Sequence, residues 1–228
     1  MCGRYNLLDS EAVRELLNGL GLQTQGKRLP EAINIAPTEQ VPVVVRAQSE
    51  TGLEPMRWWL TPAWAKQPDT RYSMFNARSE TLATSPAFKP SLHHQRCIFP
   101  MSSFIEWRKE GERKQPYLVE YQEGAMAVAG LWSHWQGLET EFYSCTMITT
   151  QAVVGFQPFH TRQPAYLGLD EAQQWLDPNI EGRELIHLLR PQLQQPLRVR
   201  ALDPAINSSR YKAGLNLLNR PETRIERS

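Results

Sequence analysis

The residue in this chain with the most distinctive chemical potential is Cys2, which directly follows the initiator methionine. Aminopeptidases remove an initiator Met readily when the next residue is small, and the mature chain would then begin with a cysteine. Such a residue carries an α-amine and a thiol together. The α-amine, with a reference pKa of about 7.7–8.0, is partly neutral and nucleophilic at pH 7. It can attack an aldehyde to form a Schiff base, and the neighbouring thiol can then close a thiazolidine ring.

Two other interpretations of Cys2 remain open at this point. The residue can simply follow the start codon and pack as a small apolar side chain, because a single cysteine is a weak motif. Alternatively, Met-Cys-Gly also begins glutamine amidotransferases, in which an N-terminal Cys is the nucleophile. The rest of the chain has to separate these interpretations.

A series of short motifs follows Cys2. They are MCGR at 1–4, NIAPT at 34–38, NARSET at 76–81, FIEW at 104–107, KQPY at 114–117, AGLW at 129–132, ITT at 148–150 and HTRQP at 160–164. In order and spacing, from residue 1 to about Asn207, they resemble the SOS-response-associated peptidase (SRAP) family, whose members process abasic sites.

The resemblance implies a single domain, residues 1–228, built on a distorted β-barrel with a positively charged groove. It implies a covalent crosslink between Cys2 and abasic sites in single-stranded DNA, in the response to DNA damage. An abasic deoxyribose opens to an aldehyde, which suits the amine and thiol of an N-terminal cysteine. Asn76, Glu106 and His160 would complete the active site. A lyase activity and autocatalytic removal of Met1 are further expectations.

The chain departs from the family pattern at three positions. Trp59 stands where Gly often follows a Trp, which bears on the packing of its loop. Gln163 replaces a common Met, and Ile33 stands where a polar residue usually precedes Asn34. None of the three is the expected nucleophile, carboxylate or imidazole.

The three expected partners of Cys2 suit different tasks. Glu106 lies between Ile105 and Trp107, and a carboxylate in apolar surroundings suits proton transfer, although it could instead be an exposed strand residue. His160 can protonate the sugar oxygen or serve as an ordinary loop histidine. Asn76 cannot titrate, but its amide can hold the amine or the sugar, or stabilise a turn.

Several further residues are candidates for DNA contacts. Guanidinium groups pair bidentately with phosphates, although Arg78 could instead pair with a carboxylate such as Glu80. Trp side chains stack on bases in single-strand binders, although either Trp could belong to the core. Two more residues are expected in the pocket wall. The arginines are Arg4, Arg78 and Arg162, the tryptophans are Trp58 and Trp64, and the wall residues are Pro37 and Thr149.

No cofactor or metal is expected. His93, His94 and Cys97 lack a fourth ligand at useful spacing, and no Gly-rich phosphate-binding loop is present. The formal net charge of +1 means that a DNA site must come from local clustering of Arg and Lys. The three widely spaced cysteines argue against a disulfide framework. With no signal peptide and no long apolar run, we expect a cytoplasmic monomer that acts at the nucleoid during DNA damage.

Strand-like segments dominate the middle of the chain, with helical patterns at its edges. This arrangement predicts an α+β fold with a mostly antiparallel, curved sheet or barrel. Helices are predicted from Asp9 or Ser10 to about Leu20, over Leu169–Leu176 and over Arg183–Leu189, and long loops over Thr61–Arg71 and Gly155–Gln163. Strands are predicted at Val41–Val45, Arg57–Leu60, Arg96–Phe99, Tyr117–Tyr121, Ala125–Trp132, Phe142–Thr149 and Leu197–Ala201.

Three functions therefore compete. The first is an abasic-site enzyme that uses Cys2, Glu106 and His160. The second is an N-terminal-cysteine amidohydrolase, but the one Asn-Gly pair, Asn18-Gly19, falls at a predicted helix end. The third is a non-enzymatic single-stranded DNA binder, which would leave Cys2, Glu106 and His160 without a task. Only the first predicts a covalent adduct with abasic DNA.

Overall fold

The computed structural model describes residues 2–47 and 50–227. Strands make up most of its regular structure, as the sequence predicts. They are β1 (Tyr5–Leu7), β2 (Ala32–Ile35), β3 (Gln40–Ala47), β4 (Glu50–Trp58), β5 (Asn76–Arg78), β6 (Arg96–Met101), β7 (Ser103–Glu110), β8 (Arg113–Tyr121), β9 (Met126–Gln136), β10 (Glu141–Gln151), β11 (Arg162–Pro164), β12 (Tyr166–Leu167), β13 (Leu197–Ala201) and β14 (Thr223–Ile225).

Five of these strands close into a barrel. β3 pairs with β4 and β6, β6 pairs with β9, and β9 pairs with β10 in antiparallel register. The ring closes where β10 pairs with β4 in parallel, with Ser144 opposite Arg57. Closure pairs the edge strands with each other and so removes exposed edges. The predicted α+β fold with a mostly antiparallel, distorted barrel is confirmed.

A second sheet has the strand order β14-β13-β8-β7-β1-β2. Its strand β1 lies against the barrel, because the Tyr5 ring contacts Trp58 and Phe99 at centroid distances of 5.3 and 6.1 Å. The shared core lies between the two sheets. This packing places the start of the chain against the barrel.

The helices lie at the periphery. In the first helix the Ser10 hydroxyl accepts a hydrogen bond from the Val13 amide, so the predicted N-terminal cap is confirmed. The predicted helix at Leu169–Leu176 is also confirmed, whereas the third predicted helix is a 3-10 helix over Gly182–Leu189. A short helix with Pro in its first turn was not predicted, because six residues show little periodicity. The α-helices are α1 (Glu11–Gly19), α2 (Lys89–His94) and α3 (Leu169–Leu176).

A buried arginine joins two of these helices. The Arg96 guanidinium donates to the carbonyl oxygens of Trp175 at 2.6 Å and Asp177 at 2.5 Å, at the end of α3. It also donates to Leu92 at 3.2 Å and to Ile180 at 2.9 Å. Arg96 therefore satisfies carbonyl groups that the helix ends leave without internal partners.

The two predicted loops differ in outcome. Thr61–Arg71 is free of helix and strand, as predicted. Gly155–Gln163 is more ordered than predicted, because a 3-10 helix covers Val154–Phe156 and β11 begins at Arg162. Across the part of the chain that the structure describes, no helix combines the length and apolar character needed to span a membrane.

Candidate active site

Cys2 lies just before β1 and is 1% exposed, in contact with the core. Its Sγ atom donates a weak hydrogen bond to the Arg4 carbonyl oxygen at 3.9 Å. Its own carbonyl oxygen accepts a hydrogen bond of 2.9 Å from Nδ2 of Asn76. This bond crosses between the two sheets and holds the backbone of Cys2 in place.

Asn76 can reach Cys2 because β5 is fixed against the barrel. β5 pairs in parallel with β10, with Asn76 opposite Met147 and Arg78 opposite Thr149. The Asn76 side chain is buried, and its Oδ1 has no hydrogen-bond partner within residues 2–47 and 50–227. The amide thus presents an acceptor beside the Cys2 backbone.

Glu106 is buried on β7, the strand adjacent to β1. Its Oε1 accepts a hydrogen bond from the Trp107 amide at 3.1 Å. Burial raises the pKa of the Cys2 thiol well above its ordinary value, and the negative charge of Glu106 raises it further. The thiol is therefore protonated at neutral pH and needs a nearby base before it can act as a nucleophile.

His160 is half-buried in the loop before β11. Its Nδ1 accepts a hydrogen bond of 2.9 Å from the Arg162 amide, which places the proton of the neutral ring on Nε2. Burial lowers the pKa of His160, and the charge of Glu106 opposes that change. The neutral imidazole is thus the favoured form. The charge of Glu106 acts on both the His160 imidazole and the Cys2 thiol.

The structure therefore brings together the four residues predicted for catalysis, Cys2, Asn76, Glu106 and His160. They come from the approach to β1, from β5, from β7 and from the loop before β11. Together they provide a thiol, an amide, a carboxylate and an imidazole in surroundings that favour uncharged forms of the thiol and the imidazole. Such a set can position a nucleophile and move protons in both directions.

Arg162, predicted to contact phosphate, is already paired within the protein. Its guanidinium donates to both carboxylate oxygens of Glu80, at 2.6 and 3.0 Å. It also donates to the backbone oxygen of Thr149 at 2.5 Å. The hydrogen bonds from Arg162 to the Glu80 carboxylate lower the pKa of Glu80. Arg162 therefore joins β11 to β10 and to the 3-10 turn Ser79–Thr81 that follows β5, and the partner suggested for Arg78 belongs to Arg162 instead.

Thr149 and Pro37 occupy different environments. Thr149 is fully buried and its hydroxyl lies 3.4 Å from the Ala77 carbonyl oxygen, beneath the site and away from any surface. Pro37 is partly exposed, in the turn between β2 and β3. Of the two expected wall residues, only Pro37 reaches the surface.

Arg4 contacts Asn34, which in turn binds the C-terminal part of the chain. Its Nη1 donates to Oδ1 of Asn34 at 2.7 Å, and its guanidinium lies 5.7 Å from the Trp107 ring centroid. Asn34, which has a φ of 52°, also donates to the carbonyl oxygens of Ser208 and Tyr211, both at 2.9 Å. Sequence reasoning assigned Asn34 no role, although the NIAPT motif contained it. Its left-handed backbone is a conformation that Asn tolerates better than most residues.

The two candidate tryptophans differ in solvent exposure. Trp58 is 0% exposed, and its Nε1 donates to the Phe75 carbonyl oxygen at 2.8 Å. The suggestion that Trp58 stacks on DNA bases is therefore wrong, because its ring fills the core against Tyr5 and Phe99. Trp64 is 63% exposed in the loop after β4.

The same loop carries an aromatic side chain that sequence reasoning missed. Tyr72 is 71% exposed, and Arg71 and Lys66 in this loop are also exposed. Arg78, at the end of β5, is a further exposed cation. The alternation of aromatic and basic residues over 64–72 was the available signal for this surface.

The other candidate groups are either buried in the core or in contact with another side chain. Cys97 and Cys145 are fully buried free thiols. Nδ1 of His93 lies 2.6 Å from Oε1 of Glu181, and no cluster of three or more His, Cys, Asp or Glu side chains suited to a metal ion occurs within residues 2–47 and 50–227.

The class of this protein follows from a closed barrel and a buried cysteine at position 2 that shares its surroundings with a carboxylate and an imidazole. The chain belongs to the SRAP family, because the family model described as SOS response associated peptidase matches residues 1–209.

Relatives with curated names agree with this assignment. The chain is 32% identical over 213 residues to the abasic site processing protein YoqW of Bacillus subtilis, covering 91% of this chain and 95% of that protein. It is 31% identical over 190 residues to the abasic site processing protein YedK of Escherichia coli, covering 81% and 83%. The abasic site processing protein HMCES of Gallus gallus is 31% identical over 170 residues, 63% of this chain and 51% of that protein.

Solved structures share the fold. A protein from Bacteroides thetaiotaomicron superposes with a TM-score of 0.75 at 22% identity, over 90% of this chain and 94% of that one. A protein from Bordetella bronchiseptica gives a TM-score of 0.74 at 21% identity, over 89% and 100%. At this level of identity the likeness concerns architecture alone.

Proposed function

We propose that this chain bonds covalently, through Cys2, to the aldehyde of abasic sites in DNA. The observation that carries the proposal is the 2.9 Å hydrogen bond from Asn76 to the Cys2 carbonyl oxygen, made beside the buried carboxylate of Glu106. This arrangement places an amide and an acid–base group next to the residue that carries both an amine and a thiol. The names of the curated relatives supply the substrate class.

The proposed reaction begins with the α-amine of Cys2 after loss of Met1. The neutral amine adds to the aldehyde carbon, and the resulting carbinolamine loses water to give an iminium ion. Oδ1 of Asn76, which has no partner in the described part of the chain, can accept a hydrogen bond from this amine. The Cys2 sulfur then adds to the iminium carbon and gives up its proton, which closes the thiazolidine ring.

Glu106 and His160 supply the proton transfers. Because the thiol is protonated at neutral pH, Glu106 receives its proton as the carbon–sulfur bond forms. When the furanose ring opens, Glu106 transfers the proton of the anomeric hydroxyl to the ring oxygen, and the Nε2–H group of neutral His160 donates a hydrogen bond to that oxygen. In the reverse reaction the same groups return the protons, and their assistance also supports strand cleavage by a lyase route.

Removal of Met1 is required for this chemistry. In the sequence the Cys2 nitrogen is in a peptide bond with Met1, and the residue is 1% exposed. Hydrolysis of that bond releases the α-amine. We propose that the chain catalyses this step itself, because an acid–base pair already lies beside Cys2.

Single-stranded DNA is the proposed form of the substrate. The exposed rings of Trp64 and Tyr72 offer stacking surfaces that only unstacked bases can use. Arg78 is exposed near them in sequence and can contact phosphates. Arg71 is also exposed, but its guanidinium pairs with Asp69 at 2.6 Å, so a phosphate must compete with that carboxylate.

Intact-protein mass spectrometry after incubation with an abasic single strand tests the proposal. We expect an adduct with the Met1-free parent and none with Cys2→Ala, which should keep weak, salt-sensitive DNA binding. Cys97→Ala is the matched control, because that thiol is buried in the barrel. An undiminished adduct in Cys2→Ala would overturn the mechanism. Glutamine hydrolysis without any adduct would favour an amidohydrolase instead.

The strand preference has a separate test. At one salt concentration, the rate of adduct formation should be higher for an abasic single strand than for a fully paired duplex with the same abasic site. Equal rates for the two substrates would contradict a role for base stacking on Trp64 and Tyr72.

A further inference from the structure

The segment that carries His160, here called the His160 loop, comprises residues 152–161. Six backbone hydrogen bonds lie within it, and most of them form its short helical turns. The Ala152 amide donates to the Thr161 carbonyl oxygen at 2.9 Å, and the amides of Phe159 and His160 donate to the Phe156 carbonyl oxygen at 2.9 and 3.2 Å. These bonds fix the shape of the loop, and its position relative to the rest of the protein depends on what packs against it.

Phe159, the neighbour of His160, anchors the loop in an aromatic cluster. Its buried ring meets Tyr117 on β8 edge-on at a centroid distance of 5.2 Å and stacks with Phe156 at 5.8 Å. The guanidinium carbon of Arg108 lies 5.1 Å from the centroid of Phe159 and 4.8 Å from that of Tyr117. Arg108 therefore covers both rings with a cation.

Arg108 is itself held in place by a shared carboxylate. Its Nη2 donates to Oε1 of Glu110 at 2.5 Å and to the Tyr117 hydroxyl at 2.7 Å, and that hydroxyl donates to Glu110. These hydrogen bonds, from Tyr117 first and Arg108 second, lower the pKa of Glu110 to about 2. Glu110 is therefore ionised at any pH at which the protein would act.

The C-terminal segment reaches the same cluster. Nη1 of Arg220 lies 3.2 Å from Oε2 of Glu110. A few residues later, Ile225 on β14 packs against the His160 loop so closely that a Cβ atom on Gly155 would lie 2.6 Å from its Cγ2. Both residues follow position 209, where the match to the family model ends.

We propose that Arg108, together with Arg220 and Ile225 of the C-terminal segment, positions His160 for proton transfer. Arg108 acts through Phe159, Arg220 acts through Glu110 and Arg108, and Ile225 acts on Gly155. None of the three is placed at the reacting atoms, so they are positioning residues. The proposal rests on the proposed function of His160, but its structural part can be measured without any reaction.

The test compares Arg108→Ala, Arg108→Lys and Arg220→Ala with Arg224→Ala as the matched control. Arg224 lies in the same C-terminal segment but pairs only with Glu222 among the described residues. Arg108→Lys keeps a cation and a partner for Glu110, so it should restore most of what Arg108→Ala loses. It also keeps the proposal testable if Arg108→Ala folds poorly.

Two readouts do not depend on activity. Amide hydrogen exchange at Phe159 and His160 should become about 3- to 30-fold faster in Arg108→Ala, the factor expected for losing a partly buried cation–π contact. The imidazole pKa of His160, followed by NMR, should also shift, because the ring would change its distance from Glu106 on β7 and Arg162 on β11. Unchanged exchange and pKa in a folded Arg108→Ala protein would overturn the proposal.

A third readout connects positioning to the reaction. In Arg108→Ala the maximal rates of adduct formation and reversal should fall, while the DNA concentration that gives half the maximal rate stays the same. Arg220→Ala should show a smaller effect in the same direction, and Arg224→Ala none. A parent protein that forms no adduct would refute the proposed function, while exchange and pKa would still decide whether these residues position His160.

Discussion

The contact between Asn76 and Cys2 offers a direct test of how the site works, through the substitution Asn76→Leu. Leucine matches the branched shape of asparagine but cannot donate a hydrogen bond. The Cys2 carbonyl oxygen, now bonded at 2.9 Å, would be left without this donor. A buried acceptor without its partner costs about 1–3 kcal/mol. Taking about 2 kcal/mol as the loss of positioning, adduct formation should slow by roughly 30-fold.

The assay is a single-turnover time course of crosslinking between the Met1-free protein and an abasic single strand, separated on a denaturing gel. Asn216→Leu is the matched control, because Asn216 is an exposed asparagine that donates to the Tyr211 hydroxyl at 2.8 Å. Asn76→Asp adds a second check. Its carboxyl group regains a donor when protonated, so its rate relative to the parent should recover as the pH falls.

One result would refute this reasoning. If Asn76→Leu forms the adduct within about twofold of the parental rate, with an unchanged melting temperature, the hydrogen bond does not position Cys2. Asn76 would then be a residue of the barrel wall, and the proposed mechanism would lose the contact on which it depends most.

Four further outcomes follow from the structure. Arg96→Met should lower the free energy of unfolding by at least about 1–3 kcal/mol in urea titrations, since it leaves buried helix-end carbonyls without their donor; a loss under about 1 kcal/mol would contradict this account. Gly182→Ala should destabilise the protein by at least about 1–3 kcal/mol, because its Cβ would lie 1.8 Å from the Leu92 carbonyl oxygen, and a parental melting temperature would show that the backbone relaxes freely. Trp64→Ala should weaken binding to single strands by roughly 5- to 150-fold while leaving the fold intact; unchanged binding would exclude stacking on this ring. His160→Asn should reduce the pH dependence of stability. The pKa of His160 is lower in the folded protein, so the unfolded chain binds a proton first as the pH falls below about 6.5, and the parent loses stability there. Urea titrations at about pH 7.5 and about pH 5.5 should show this loss in the parent and less of it in His160→Asn; an equal change in both proteins would contradict the argument.

The sequence was sufficient to propose the chemical groups of the site because they lie in short motifs. Cys2 stands out by position alone, and Asn76, Glu106 and His160 each lie within a motif that carries the family resemblance. The order of those motifs was sufficient for the family. The elements with strong local signals were also predictable, such as the helix that Ser10 caps.

Strand β7 was harder to predict, although it carries Glu106. Its pattern over Ser103–Glu110 is buried on both faces at the start and charged at the end, so it lacks the alternation of a half-exposed strand. The closure of the barrel was also beyond sequence analysis in detail. The parallel pairing of β10 with β4 joins segments nearly 90 positions apart, and no local pattern encodes it.

What the sequence by itself determined is which groups are candidates for the reaction, because their chemistry belongs to the residue types and their order to the chain. What only the tertiary structure decided is which neighbours each group meets. Arg162 was an apparent phosphate ligand until Glu80 was found 2.6 Å away, and Trp58 was an apparent stacking surface until its ring was found in the core. Arg108, Arg220 and Ile225 gave no sign of a connection to His160. Charges and rings acquire their roles from distances of a few ångströms, and folding sets these distances between residues that are far apart in the chain.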